Sequence, residues 1–151
     1  MGLFKGIKST YKKSEAAVII QNLMDIQIAA GLCELDPAKT SNRLVAEVWD
    51  GSPHFFDGRF GQRPHKLSVV AAALANAIEE LGFENRHTNT FAICLGQVLN
   101  EATTKASLYP FNKLDDDLLT TSANTYLAYS KALEDSSLGR YIDVLLQSKD
   151  D

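Results

Sequence analysis

The sequence predicts an all-α, single-domain bundle of about five to six helices with one long irregular loop at residues 50–66. Apolar residues recur at three- and four-residue spacings along most of the chain, and the strict alternation typical of strands is nearly absent. The chain has 151 residues, of which 45% are hydrophobic and 23% charged. These values are typical of one globular domain, so we expect residues 1–151 to fold as a single helical domain.

Local signals delimit the first two helices. The first helical pattern runs from about residue 3 to residue 30, and Gly31 is well placed to cap its C-terminus. Asp36 followed by Pro37 predicts the start of a second helix. The Asp36 carboxylate can accept hydrogen bonds from the unpaired amides of the first turn, and Pro37 lacks an amide donor at a position where that donor would have no partner. We expect Gly51 to end this helix.

The third helix, at about 67–81, is expected to be central because it is apolar on nearly every side. Gly82 and Phe83 predict a Schellman motif at its end. A fourth helix is expected over about 89–106.

Asn112 and Asp115 have the spacing of a capping box and predict the start of a fifth helix. This helix is expected to extend through Leu133, and a short sixth helix to follow with Leu138 and its apolar neighbours. Residues 148–151 are polar, and we expect them to be frayed.

Charge and cysteine content restrict the functional classes. The formal net charge is -4 and the isoelectric point about 5.3, which disfavours a nucleic-acid partner because phosphates require a basic face. Cys33 and Cys94 form no paired motif, which favours reduced thiols in a cytoplasmic protein. No apolar run is long enough to cross a membrane.

Sequence motifs for catalysis, cofactors and metals are absent. The chain contains no glycine-rich dinucleotide or phosphate loop and no catalytic serine or zinc motif. Glu84 and His87 have the spacing of one half of a helical di-iron site, but a second copy is missing. Residues 115–117 are three aspartates. We interpret them as side chains that interact with the positive end of a helix dipole rather than as a cation site. We therefore expect no cofactor and no metal site.

The loop at residues 50–66 is the first candidate site. Phenylalanines at 55, 56 and 60 lie beside basic residues, a mixture that can hold an anion by stacking and charge. The candidate ligand-binding residues are His54, Arg59, Arg63 and His65, and either histidine has the chemistry of a general base. The alternative is that the phenylalanines anchor the loop on the core while the arginines face water.

The N-terminal residues 1–13 are the second candidate site, a basic amphipathic segment with a charge of +4. At helical spacing, an apolar stripe lies across from a basic one. The apolar stripe consists of Leu3, Phe4, Ile7 and Tyr11, and the basic one of Lys5, Lys8 and Lys12. Such a segment suits an acidic groove on a partner or an anionic membrane surface. The alternative is packing on its own domain or on a second subunit.

The sequence thus favours a non-enzymatic helical protein-interaction or regulatory protein that self-associates or binds a protein partner. One alternative is a small enzyme or ligand-binding domain with an anion-accepting site in the 50–66 loop. A second alternative is peripheral membrane association through residues 3–13.

Overall fold

The computed structural model describes residues 2–51, 64–108 and 111–150, and the side chains of residues 14–51, 64–108 and 111–135. The helices in these ranges are α1 (Gly2–Ala29), α2 (Pro37–Gly51), α3 (Lys66–Leu81), α4 (Thr88–Thr104) and α5 (Lys113–Asp150). Within these ranges no residue lies in a strand. The all-α fold class is therefore confirmed.

Helix α1 ends in the capping motif that Gly31 predicts. Gly31 has a φ of 75°, and its amide donates to the carbonyl of Ile28 at 2.9 Å. The amide of Leu32 donates to the carbonyl of Gln27 at 2.8 Å, which completes a Schellman motif. Helix α2 begins as expected, because Asp36 Oδ1 accepts from the amide of Lys39 at 2.9 Å.

Helix α3 is the central helix, as its composition predicts. It contacts α1, α2, α4 and α5, and ten of its residues, from Leu67 to Ile78, are buried. Its C-terminal cap differs from the expected Schellman motif. Gly82 has a φ of 81° but a ψ of 164°, so the backbone leaves the helix in an extended direction.

One hydrophobic core joins the helices. Its largest fully buried apolar side chains come from α1, α2, α3 and α4, and they are Ile20, Met24, Leu44, Val45, Val69, Val70, Leu74, Ile78, Phe91 and Leu95. The contribution of α5 includes Tyr129 and the half-buried Leu118, Leu119 and Tyr126. The core therefore spans every helix named here.

Helix α5 is one continuous helix of 38 residues, so the prediction of separate fifth and sixth helices is wrong. Gly139 lies within it, but a single glycine keeps its amide donor and costs only about 1 kcal/mol relative to alanine. No proline interrupts this stretch. Residues 148–150, for which the sequence predicts fraying, are part of the helix.

Helices α3 and α5 run parallel to each other. Ser68 contacts Asp115 near the start of both helices, and Glu79 contacts Thr125 further along both. Helix α4 runs antiparallel to α5, because Asn89 contacts Tyr129 whereas Gly96 lies against Tyr126.

Helix α1 runs in the same direction as α3. Ser14 and Ile19, among the first residues of α1 whose side chains are described, line a groove together with Lys66, the first residue of α3. Beyond the other end of α1, the carbonyl of Leu32 accepts from Thr90 Oγ1 at 3.3 Å. Thr90 lies in the first turn of α4, which follows the end of α3, so α1 passes the start of α3 and ends beside the end of α3. We call the end that contains Lys66 the basal end. The apical end comprises residues 30–40, 79–88 and 129–135. Residues 2–13 of α1 precede the basal end.

Candidate functional site

The basic N-terminal segment is helical in the structure. Helix α1 begins at Gly2 and continues without interruption to Ala29. Among the described side chains of this helix, the buried ones begin with Ala16 and Ala17. The side chains of the candidate residues Leu3, Phe4, Lys5, Ile7, Lys8, Tyr11 and Lys12 lie outside the described part of the chain.

The candidate residues of the 50–66 loop divide into two groups. His54, Arg59 and Arg63 lie outside the described residues. His65 is described, and it precedes α3 as its N-cap residue. Its Nδ1 accepts from the amide of Leu67 at 3.1 Å, which satisfies one of the orphan donors of the helix.

Further contacts hold His65 in a structural position. Its amide donates to Asp115 Oδ1 at 2.7 Å, and its carbonyl oxygen lies 2.8 Å from Ser68 Oγ, whose single proton is shared with the Asp115 carboxylate. The edge of its ring packs against Phe111, with ring centroids 5.2 Å apart. A proton on Nδ1 would remove the acceptor that the Leu67 amide uses. The structure therefore gives this histidine a capping role.

Asp115 is a buried carboxylate that sequence reasoning recognises only in part. Its Oδ2 accepts from the amide of Asn112 at 3.0 Å, and Asn112 Oδ1 accepts from the amide of Asp115 at 2.9 Å, so the capping box is confirmed. Its Oδ1 also accepts from Ser68 Oγ and from the amide of His65. We call His65, Ser68, Asn112 and Asp115 the N-terminal joint, because they connect the starts of α3 and α5.

A groove between α2, α3 and α5 contains polar side chains that no sequence motif indicates. It has a volume of about 360 Å³ and begins beside Gly51. Its polar side chains are Glu47, Asn76, Glu79, Thr121, Ser122 and Thr125. Thr125 Oγ1 donates to Glu79 Oε1 at 3.0 Å, and Glu47 lies 3.6 Å from Arg43. Two carboxylates in the wall make this groove unsuitable for an anion.

The two cysteines are buried free thiols. The pKa of Cys94 is raised to about 12, chiefly by burial and in smaller part by the neighbouring Cys33. A thiol with this pKa is protonated at neutral pH, and the protonated form is a poor nucleophile and metal ligand.

Among the residues whose side chains are described, no group of three His, Cys, Asp or Glu could hold a metal ion. The helices of the described chain include none with the length and hydropathy of a membrane span. Comparisons with protein families, with curated proteins and with solved structures give no match for this chain.

Proposed function

We propose that the protein is a non-enzymatic, cytoplasmic interaction or regulatory protein that contacts a protein partner, or a second copy of itself, through residues 3–13. The observation that carries this proposal is the continuity of α1 from Gly2 into the buried helix that begins near Ala16. The helical backbone gives the sequence pattern of the segment its 3.6-residue period.

The chemistry of the segment favours a protein partner. Residues 1–13 carry four lysines and no acid, in a chain whose formal net charge is -4. Lysine side chains steer association toward an acidic surface, and apolar residues at helical spacing supply the buried contact. A segment that is already helical loses less entropy on binding, because it does not have to fold first.

Three described side chains with reactive chemistry, those of His65, Asp115 and Cys94, are used structurally, which supports a non-enzymatic role. His65 Nδ1 and the Asp115 carboxylate accept hydrogen bonds from the starts of α3 and α5. The thiol of Cys94 is buried and protonated. None of these groups combines a free acceptor with access to a substrate.

The alternative of a small enzyme or ligand-binding domain rests on His54, Arg59 and Arg63 as an anion-accepting site. The groove beside Gly51 includes the residue that precedes residues 52–63 in the sequence, and its carboxylates suit a cationic ligand instead. Titration with inorganic phosphate, followed by calorimetry, tests the anion site. Binding that Arg59→Ala and Arg63→Ala abolish would support this alternative over our proposal.

Truncation tests the proposed function. The chain without residues 2–13 should retain its helical circular dichroism but lose self-association in sedimentation velocity and lose partners captured by the full chain. The triple variant Lys5→Glu/Lys8→Glu/Lys12→Glu should have the same effect without shortening α1. A truncated chain that keeps its oligomeric state and every partner would contradict the proposal.

Vesicles containing phosphatidylserine separate the protein partner from the membrane alternative. Under our proposal the full chain should not co-sediment with them. Co-sedimentation that the triple variant abolishes would instead support peripheral membrane association through residues 3–13.

A further inference from the structure

The apical end of the bundle combines exposed apolar side chains with an excess of acidic ones. Its large exposed apolar side chains include Leu32 (58% exposed), Phe83 (45%) and Leu133 (49%). Side chains of this size and exposure, grouped at one end of a domain, are typical of an interaction surface.

Contacts between helices place these three residues around one centre. The Phe83 ring packs edge-on against Tyr129, with ring centroids 5.7 Å apart, and Leu133 lies one helical turn beyond Tyr129. The Tyr129 hydroxyl donates to Asn89 at 3.2 Å, and the next residue, Thr90, contacts the carbonyl of Leu32. The apolar side chains thus surround the junction of α1, α4 and α5.

Charged residues around this junction are mostly acidic. Residues 30–40, 79–88 and 129–135 contain seven acids and three bases, and all ten side chains are exposed. The acids are Glu34, Asp36, Glu79, Glu80, Glu84, Glu134 and Asp135, and the bases are Lys39, Arg86 and Lys131. Arg86 is 3.8 Å from Glu34, so one base is already paired within the end itself. The formal charge of the apical end is therefore -4, counting histidine as neutral.

The basic N-terminal segment has the complementary composition, with an apolar stripe and a charge of +4. It cannot reach the apical end of its own chain while α1 stays helical. Residues 14–29 of α1 span about 24 Å between the two ends, and residues 2–13 form a helix only about 18 Å long. A contact between the segment and an apical end therefore has to join two copies of the chain.

We propose that residues 2–13 of one copy dock on the apical end of a second copy, so that the chain self-associates head to tail. The contact joins two different surfaces, so a bound pair of copies still presents one free segment and one free apical end. Such heterologous contacts continue into open chains unless their rotation closes a ring. This proposal rests on the proposed function, because it names the partner of the N-terminal segment.

Charge reversal on each surface tests the docking directly. The basal variant is Lys5→Glu/Lys8→Glu/Lys12→Glu, and the apical variant is Glu80→Lys/Glu84→Lys/Glu134→Lys. Glu79 is left intact because it accepts from Thr125. Sedimentation velocity of the wild type should show species larger than a dimer as concentration rises, and added salt should reduce them. Each variant alone should associate about tenfold more weakly, because three attractive contacts between exposed charges become repulsive.

Mixing the two variants is the decisive measurement. The unchanged segment of the apical variant then meets the unchanged apical end of the basal variant, and the acidic segment of the basal variant meets the introduced lysines. The mixture should therefore recover association that neither variant shows alone. The control Glu15→Lys/Glu101→Lys/Asp117→Lys changes the net charge by the same amount outside the apical end and should associate like the wild type. Leu32→Ser/Leu133→Ser should weaken association without removing its dependence on salt.

The outcomes separate this proposal from the proposed function. If the basal variant is monomeric but the apical variant behaves like the control, the segment binds elsewhere, and only the head-to-tail contact is overturned. A mixture that fails to recover association overturns it as well. A wild type that stays monomeric at every concentration overturns self-association, while loss of captured partners on truncation would still support the proposed function.

Discussion

Removal of the Asp115 carboxylate is expected to destabilise the protein more than any other loss of a single charge in the first turn of α5. The side chain is fully buried and accepts three hydrogen bonds, from the amides of His65 and Asn112 and from the hydroxyl of Ser68. In Asp115→Ala these donors lose their acceptor inside the protein. Two of them lie at the start of α3, 47 and 50 residues away along the chain.

The magnitude follows from the number of donors. An unsatisfied buried donor costs about 1–3 kcal/mol, and hydrogen bonds to a charged group are the stronger ones. Loss of the carboxylate should lower the free energy of unfolding by about 3–5 kcal/mol, because the Ser68 hydroxyl can turn to the His65 carbonyl 2.8 Å away and the amides will partly find water. For a chain of this size, that loss corresponds to a decrease of roughly 10 °C in the melting temperature.

Urea unfolding followed by circular dichroism measures this loss, and Asp116→Ala is the matched control. Asp116 lies in the same first turn but is exposed, so its removal should cost only about 0.3–1 kcal/mol of helix-dipole interaction. Asp115→Asn should fall between the two, because it keeps one oxygen acceptor. If Asp115→Ala and Asp116→Ala agree within about 1 kcal/mol, the hydrogen bonds to the Asp115 carboxylate do not stabilise the fold.

Three further predictions concern the core and the glycines. The pKa of Cys94 is about 12 in the fold against 9.0 for a free thiol, so the stability that this thiol contributes should be fully present below pH 9 and be lost between pH 9 and about 12. A stable Cys94→Ala variant should therefore lose less stability over this range than the wild type and keep only the smaller dependence of groups such as Tyr129, whose pKa burial also raises. Gly31→Ala should cost about 1 kcal/mol in urea unfolding because of its φ of 75°, whereas Gly51→Ala, with open space and no positive φ, should cost nothing. At Gly96 a Cβ would lie 3.0 Å from the Tyr126 ring, so Gly96→Val should lower the melting temperature by an amount equivalent to about 1–3 kcal/mol; a variant as stable as wild type would show that the ring yields freely.

The starts of several helices could be predicted because their signals are local. Asp36 caps α2 by accepting from the amide of Lys39, three residues later. Asn112 and Asp115, also three residues apart, each accept from the amide of the other at the start of α5. The composition of α3 alone indicates its central place, since a helix apolar on every side has to be surrounded. These features depend on neighbours within one or two turns.

The N-terminal joint and the helix directions could not be predicted, because they depend on contacts between distant residues. No sequence spacing links Ser68 to Asp115, and the parallel course of α3 and α5 appears only from such contacts. The histidine of the candidate loop illustrates the same limit. Residue type makes His65 a candidate base, whereas its position before α3 makes it a cap.

The parallel course of α3 and α5 also bears on the order in which the chain folds. Antiparallel neighbours such as α3 and α4 can pair through a short turn, whereas closing the N-terminal joint requires a loop of about 47 residues. We therefore expect α3 and α4 to pair first and the joint to close afterwards. On that order, loss of the Asp115 carboxylate would chiefly accelerate unfolding and leave the folding rate nearly unchanged, so the joint would govern the lifetime of the folded state.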